Sequence, residues 1–301
     1  MSHGLLDQLV SMVAAAVVAA SAVVGGPVEV EEKPEDDVLS ELAEKAEASA
    51  GKGLPSGASN GVLGRDISWP NCPVGMGIPE RRTLGKPMPP AGSSYVIIGL
   101  TNGPAFYPNP CLAEQVAYAR EQQMWAAAYA VVTYPTPSEL REYGGSGPHP
   151  TTTRPGQLRN AGWAQAQQNM ANMRAAGLDS PIVWIDVEPV RPPSPWSDDI
   201  AANRLVVDGV IRAYRAAGLN VGVYSTTYLW QSIVGEVGYG LPEWRTAGPT
   251  TKANALGMCT GSPIQGGEAV LGQWYDDDVD YNVLCPGRPA IDVLREYFTL
   301  P

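Results

Sequence analysis

Histidine is almost missing from this chain, with two in 301 residues. His3 lies near the N-terminus and His149 in a Gly/Pro/Thr-rich segment, residues 144–156. A nucleophile activated by imidazole would have to use His149, and no Gly-x-Ser-x-Gly elbow is there to receive it. Four cysteines occur, none in a Cys-x-x-Cys arrangement, which argues against zinc and against a dithiol redox site. No Gly-x-Gly-x-x-Gly follows an apolar run, so nothing marks a dinucleotide-binding turn. No Lys/Arg cluster or basic stripe is present, and nucleic acid is excluded as a partner. The run Asp276-Asp277-Asp278-Val279-Asp280 invites a calcium reading, but it lacks the glycine and closing glutamate of an EF-hand loop. Neither a metal nor an organic cofactor is expected. Chemistry is left to carboxylates.

The composition, 44% hydrophobic and 17% charged, supports a sizeable core, and the length suits one large domain or two small ones. The net charge of -11 is uneven: residues 1–60 carry ten Asp/Glu against three Lys, and the remainder 21 against 17. Residues 9–24 are almost wholly Ala, Val, Leu, Met and Ser, and Ala20-Ser21-Ala22 supplies the small-x-small pattern of a cleavage site. Residues 1–27 are therefore read as a signal peptide or a membrane anchor, although no Lys or Arg precedes the apolar run; a helix of the main domain is the third alternative. Residues 28–60 read as an acidic flexible linker, with a short helix over 38–50 broken by the Gly/Pro-rich stretch at 51–57. Residues 61–301 form the folded domain. The cysteines agree with export to an oxidising compartment, secreted or attached to a cell envelope. Three connectivities are possible for Cys72, Cys111, Cys259 and Cys285, and proximity in sequence favours Cys72–Cys111 and Cys259–Cys285.

From residue 64 onward, strand-like and helix-like runs alternate. Strand candidates cover 65–69, 95–101, 125–133, 182–187, 221–225, 243–247 and 269–275; helix candidates cover 111–123, 156–176, 198–217 and 227–234. Two helices end in Ala-Ala-Gly-Leu, at 175–178 and 216–219, with glycine where a left-handed cap is wanted and a strand directly after. Repeated helix–Gly–strand units mark an α/β fold with parallel strands. About 240 residues with seven visible strands suit a (β/α)8 TIM-like barrel whose last strand is irregular.

The richest segment is Pro181-Ile182-Val183-Trp184-Ile185-Asp186-Val187-Glu188-Pro189. Four apolar residues read as a strand covered on both faces, and two carboxylates follow where it leaves the core. Side chains alternate along a strand, so Asp186 and Glu188 share a face, at the end of a barrel strand where catalytic groups gather. Asp66 sits within the first strand candidate and would point into the barrel mouth.

Asp66, the Asp186-Val187-Glu188 triplet and the late Val279-Asp280-Tyr281-Asn282 together resemble the family 25 glycoside hydrolases, lysozyme-like muramidases built on a modified β/α barrel. The resemblance covers roughly residues 61–287 and extends to Tyr95-Val96-Ile97-Ile98-Gly99, Ala127-Ala128-Tyr129, Val223-Tyr224-Ser225, Glu243-Trp244-Arg245 and Gly272-Gln273-Trp274-Tyr275. It implies that Glu188 protonates the leaving sugar oxygen and that Asp186 stabilises an oxazolinium formed by the substrate's own 2-acetamido group. Asp66 and Asp280 would hold the surrounding charge network. Tyr129, Tyr224, Trp274 and Trp69 are candidates for an aromatic floor beneath a sugar ring. Leu100-Thr101-Asn102-Gly103 departs from the muramidases, which often carry charge there. Trp69-Pro70-Asn71-Cys72, the cysteines and Thr227-Tyr228-Leu229-Trp230 are similar to a secreted bacterial branch whose activity is poorly defined. The expectation is a monomeric, exported hydrolase of β-1,4 bonds in cell-wall polysaccharide of the peptidoglycan type, with residues 9–24 as the segment for any membrane association. The rival is a non-catalytic glycan-binding or structural surface protein on the same barrel.

Overall fold

The computed structural model describes residues 62–189 and 196–300. The signal or anchor segment at 1–27, its apolar run at 9–24 and the linker at 28–60 lie outside the described residues. No described helix is long and apolar enough to cross a membrane.

Eight strands close into a barrel in chain order. They are β1 (Leu63–Ile67), β2 (Tyr95–Gly99), β3 (Trp125–Val131), β4 (Ile182–Asp186), β5 (Asn220–Ser225), β6 (Glu243–Pro249), β7 (Ala269–Tyr275) and β8 (Asp280–Leu284). Strands β1 to β7 run parallel, and β8 runs antiparallel to both β7 and β1. The TIM-like barrel with an irregular last strand is borne out, and β8 is that strand. The helices are α1 (Leu112–Glu121), α2 (Pro137–Tyr143), α3 (Arg154–Ala176), α4 (Ile200–Ala216), α5 (Thr227–Val234), α6 (Lys252–Met258) and α7 (Ala290–Tyr297).

Two apolar layers follow from strand alternation. Val183, Ile185 and Val187 face outward, in one cluster with Val206, Val207 and Val210 of α4 and with Leu158 and Met170 of α3. Ile182 and Trp184 face inward with Tyr95, Ile97, Trp244 and Leu271. Tyr95, the first residue of β2, meets Phe298 edge-on at 4.9 Å, so α7 and the residue after it close the floor of the barrel. The inward Trp184 requires Gly222 on β5, where a Cβ would lie 2.2 Å from the indole ring. Gly177 and Gly218 adopt φ of 71° and 80° and end α3 and α4, as the repeated Ala-Ala-Gly-Leu requires.

Both cysteine pairs form as proximity favoured. Cys72–Cys111 ties the loop after β1 to the start of α1, and Cys259–Cys285 ties the end of α6 to the end of β8. The first strand differs from the expectation over 65–69. It ends at Ile67, and Trp69 begins a short 3-10 turn, because Pro70 has no N–H to carry a ladder further. Helix α2 lies outside the expected helices, although Thr136 and Glu139 form a reciprocal capping box in front of Pro137.

Candidate active site

Alternation along β4 turns Asp186 inward above Trp184 and carries Glu188 to the mouth one step beyond the strand. The segment stays extended because Val187 N donates to Tyr224 O at 3.1 Å. Ser225 Oγ donates to Val187 O, and Trp196 Nε1 donates to Glu188 O, each at 2.7 Å. No sequence signal pointed to Trp196. Its role rests on a bond to a backbone carbonyl eight residues earlier.

Asp66 reaches the same level from β1. Its Oδ2 accepts from Asn282 Nδ2 at 2.6 Å and from Gln273 Nε2 at 3.1 Å. Both amides are held from behind: Trp244 Nε1 donates to Asn282 Oδ1, and Tyr224 Oη donates to Gln273 Oε1, each at 2.7 Å. Asp66, Asp280 and Tyr275 form one row across β1, β8 and β7. A groove of about 490 Å³ opens above, lined by Glu188, Tyr224, Thr226, Leu229, Thr246, Ala247, Gly248, Tyr275 and Asp280. A smaller cavity of about 220 Å³ lies beyond Asp280 and is walled by Arg65, Asp66, Asn71 and the Pro87–Pro90 stretch.

These placements set the electrostatics. Burial, and then the charge of Asp280, push the Glu188 carboxyl up to about 7. Burial and the neighbouring Asp276 push Asp280 up to about 6, against the pull of Lys86. Asp66 and Asp186 are held well above the ordinary carboxylate range, chiefly by burial. The charge of Asp280 adds to this at Asp66, and Glu188 and Asp66 add to it at Asp186. Four carboxyls in one desolvated cluster cannot all ionise near neutrality, and a proton kept on Glu188 is available to an acid-catalysed step. Among the described residues, nothing donates to Asp186 Oδ1, although the atom is buried.

The structure thus brings together Glu188, Asp186, Asp66, Asp280 and Tyr224. Tyr129 stays beside the acids, its hydroxyl pushed up by burial and then by the charge of Asp66, while Trp274 and Trp69 lie elsewhere. Trp274 is on the opposite face of β7 from Gln273, stacked at 5.1 Å on Tyr281, which in turn lies under the Arg65 guanidinium. Strand alternation is the reason: once Gln273 faces Asp66, Trp274 must face out and Tyr275 in. Tyr129 points into the barrel and meets Trp244 edge-on at 5.8 Å, and Trp69 sits in the turn after β1; neither lines the two cavities. Tyr275 lines the groove beside Tyr224. Among the described residues, no group of three or more His, Cys, Asp or Glu is arranged to hold a metal ion. Asp276 instead closes its own turn, its Oδ1 accepting from Asp278 N and Val279 N. Glu243 is also structural: it is wholly buried, bonded to Arg245 Nε at 2.8 Å and to the N–H groups of Ile264, Gln265 and Gly267.

Comparison with known proteins agrees with this fold. The family model described as lysozyme-like protein 1 matches residues 152–245, from α3 into β6, and so includes Asp186 and Glu188. Lysozyme-like protein 5 of Caenorhabditis elegans is 34% identical over 71 residues, which is 24% of this chain and 31% of that protein. Among solved structures, a glycosyl hydrolase 25 virulence factor of Streptococcus pneumoniae superposes with a TM-score of 0.51 at 16% identity, covering 86% of this chain and 99% of that one. The bacterial lysozyme of Streptomyces coelicolor gives 0.50 at 14% identity, covering 79% and 97%. The resemblance to the lysozyme-like glycoside hydrolases holds, and the barrel is shared with them.

Proposed function

We propose that this protein is a glycoside hydrolase that cuts β-1,4 bonds in a cell-wall glycan of the peptidoglycan type. The observation that carries the reading is Glu188, a carboxyl raised to about 7 that lines an open groove beside Asp280 and above Asp186. Glu188 donates its proton to the glycosidic oxygen as that bond breaks. The substrate's 2-acetamido oxygen closes on the anomeric carbon, and Asp186, the buried carboxyl behind Glu188, stabilises the oxazolinium as charge develops. Glu188, now ionised, takes a proton from the water that opens the oxazolinium ring, and is restored. Asp66, braced by Asn282 and Gln273, and Asp280 keep the cluster's shared charge in place. The two disulfides fit a protein that works outside the reducing cytoplasm, secreted or held at the envelope, with cell-wall polysaccharide as its partner.

The test compares wild type with Glu188→Gln on purified peptidoglycan, reading turbidity loss and released muropeptides. Release of fragments with reducing N-acetylmuramic ends by wild type alone supports the reading. Co-sedimentation of both proteins with the wall, with release by neither, replaces it with a glycan-binding scaffold.

A further inference from the structure

We infer that Tyr275 is the platform on which the groove holds a hexosamine ring, a positioning residue that sets affinity for the glycan rather than the rate of bond cleavage. The inference rests on the glycan-cleaving reading of the same groove. Tyr275 and Tyr224 are the two aromatic residues lining it, and they differ in what they offer. Tyr224 is 8% exposed, packed at 4.4 Å on Trp244 with its hydroxyl committed to Gln273, whereas Tyr275 is 38% exposed. The other aromatics at the β7–β8 edge are already engaged, Trp274 and Tyr281 with each other and Tyr281 with Arg65.

Position and rigidity both favour Tyr275. It lies directly across the β7–β8 ladder from Asp280, so its ring and an acid of the cluster border one groove with Glu188. Gln273, two residues before it on the same face, is anchored to Asp66. The turn that follows is closed by Asp276 N to Val279 O at 3.1 Å and pinned by Lys86 Nζ to Asp277 O at 2.6 Å. Room for a ring comes from the neighbouring strand. The β6–β7 register shifts between Thr246 and Pro249, and Gly248 there adopts φ +78° with open space where a Cβ would stand. A pyranose has an apolar C–H face that packs on an aromatic ring and an equatorial rim of polar groups, for which Thr226 and Thr246 are available in the same groove.

The experiment titrates the full-length Glu188→Gln protein, which does not turn over, with soluble glycan strands of alternating N-acetylglucosamine and N-acetylmuramic acid, read by calorimetry. Adding Tyr275→Ala should weaken binding by about 3- to 10-fold, the range expected for losing one aromatic contact. Tyr275→Phe and Tyr275→Trp should keep it. Tyr228→Ala is the control, since Tyr228 is 78% exposed and does not line the groove. With Glu188 intact, Tyr275→Ala should raise KM and leave kcat within about 2-fold. Equal affinity with and without the tyrosine ring, or a fall in kcat at constant KM, overturns the inference and leaves the glycan-cleaving reading standing. Failure of the Glu188→Gln parent to bind, together with no cleavage by wild type, overturns both.

Discussion

Asn282 on the last strand donates its side-chain amide to Asp66 on the first, at 2.6 Å, while its carbonyl accepts from Trp244. One residue thus joins the barrel seam to the acid cluster and to the aromatic layer beneath it.

Asn282→Ala removes the shortest bond to a buried carboxyl and orphans the Trp244 N–H in one step. The expected cost is about 1–3 kcal/mol for each polar group left unsatisfied, measured by urea denaturation, with a matching loss of hydrolysis. A variant as stable as wild type would show that Asp66 does not depend on this amide.

The acid cluster predicts how stability varies with pH. Unfolded Asp and Glu titrate near pH 4, at about 3.9 and 4.3, whereas folded Asp280 and Glu188 titrate at about 6 and about 7. The folded state therefore keeps protons that the unfolded chain has released, and that contribution to stability, complete below about pH 4, is lost as pH rises through 7. Glu188→Gln removes the largest upper part of this window. Calorimetric scans should show its melting temperature exceeding that of wild type at pH 8, with the difference shrinking toward pH 5. An identical pH profile for the two proteins contradicts the assignment.

On the outer wall, Arg245 neutralises Glu243 and donates to the carbonyls of Met258, Gly261 and Gly267. Arg245→Met leaves a buried carboxylate without its counter-charge and should cost about 3–5 kcal/mol. Arg245→Lys should recover only part of that loss, because an ammonium cannot reproduce the guanidinium's fan of donors. Full recovery by lysine would reduce the role of Arg245 to charge alone.

Much of this arrangement is legible in the residues themselves. Alternation alone puts Asp186 and Glu188 on one face, and the two Ala-Ala-Gly-Leu segments announce parallel β/α units. Spacing in the chain favoured the cysteine pairs that form. What could not be read depends on contacts distant in sequence. Whether Trp274 or Tyr275 faces the acids is decided by Gln273, whose direction is fixed by Asp66, 207 residues away. Trp196 supports Glu188 through a backbone carbonyl, a bond to which no residue type is committed in advance. The end of β1 is hard to read because Trp69 continues the alternation of Ile67, while Pro70 stops the pairing after Ile67 and leaves Trp69 in the turn.

The antiparallel last strand has a consequence for how the molecule comes into being. Its hairpin returns Asp280 and Asn282 to the mouth, 216 residues after Asp66 in the case of the Asn282 bond. Contacts so distant in sequence form late, since the loop must be closed before they can stabilise anything. A growing chain that already contains Asp66, Asp186 and Glu188 still has no braced cluster and no groove wall at Tyr275. The candidate site is complete only with the final hairpin, at the moment the barrel closes.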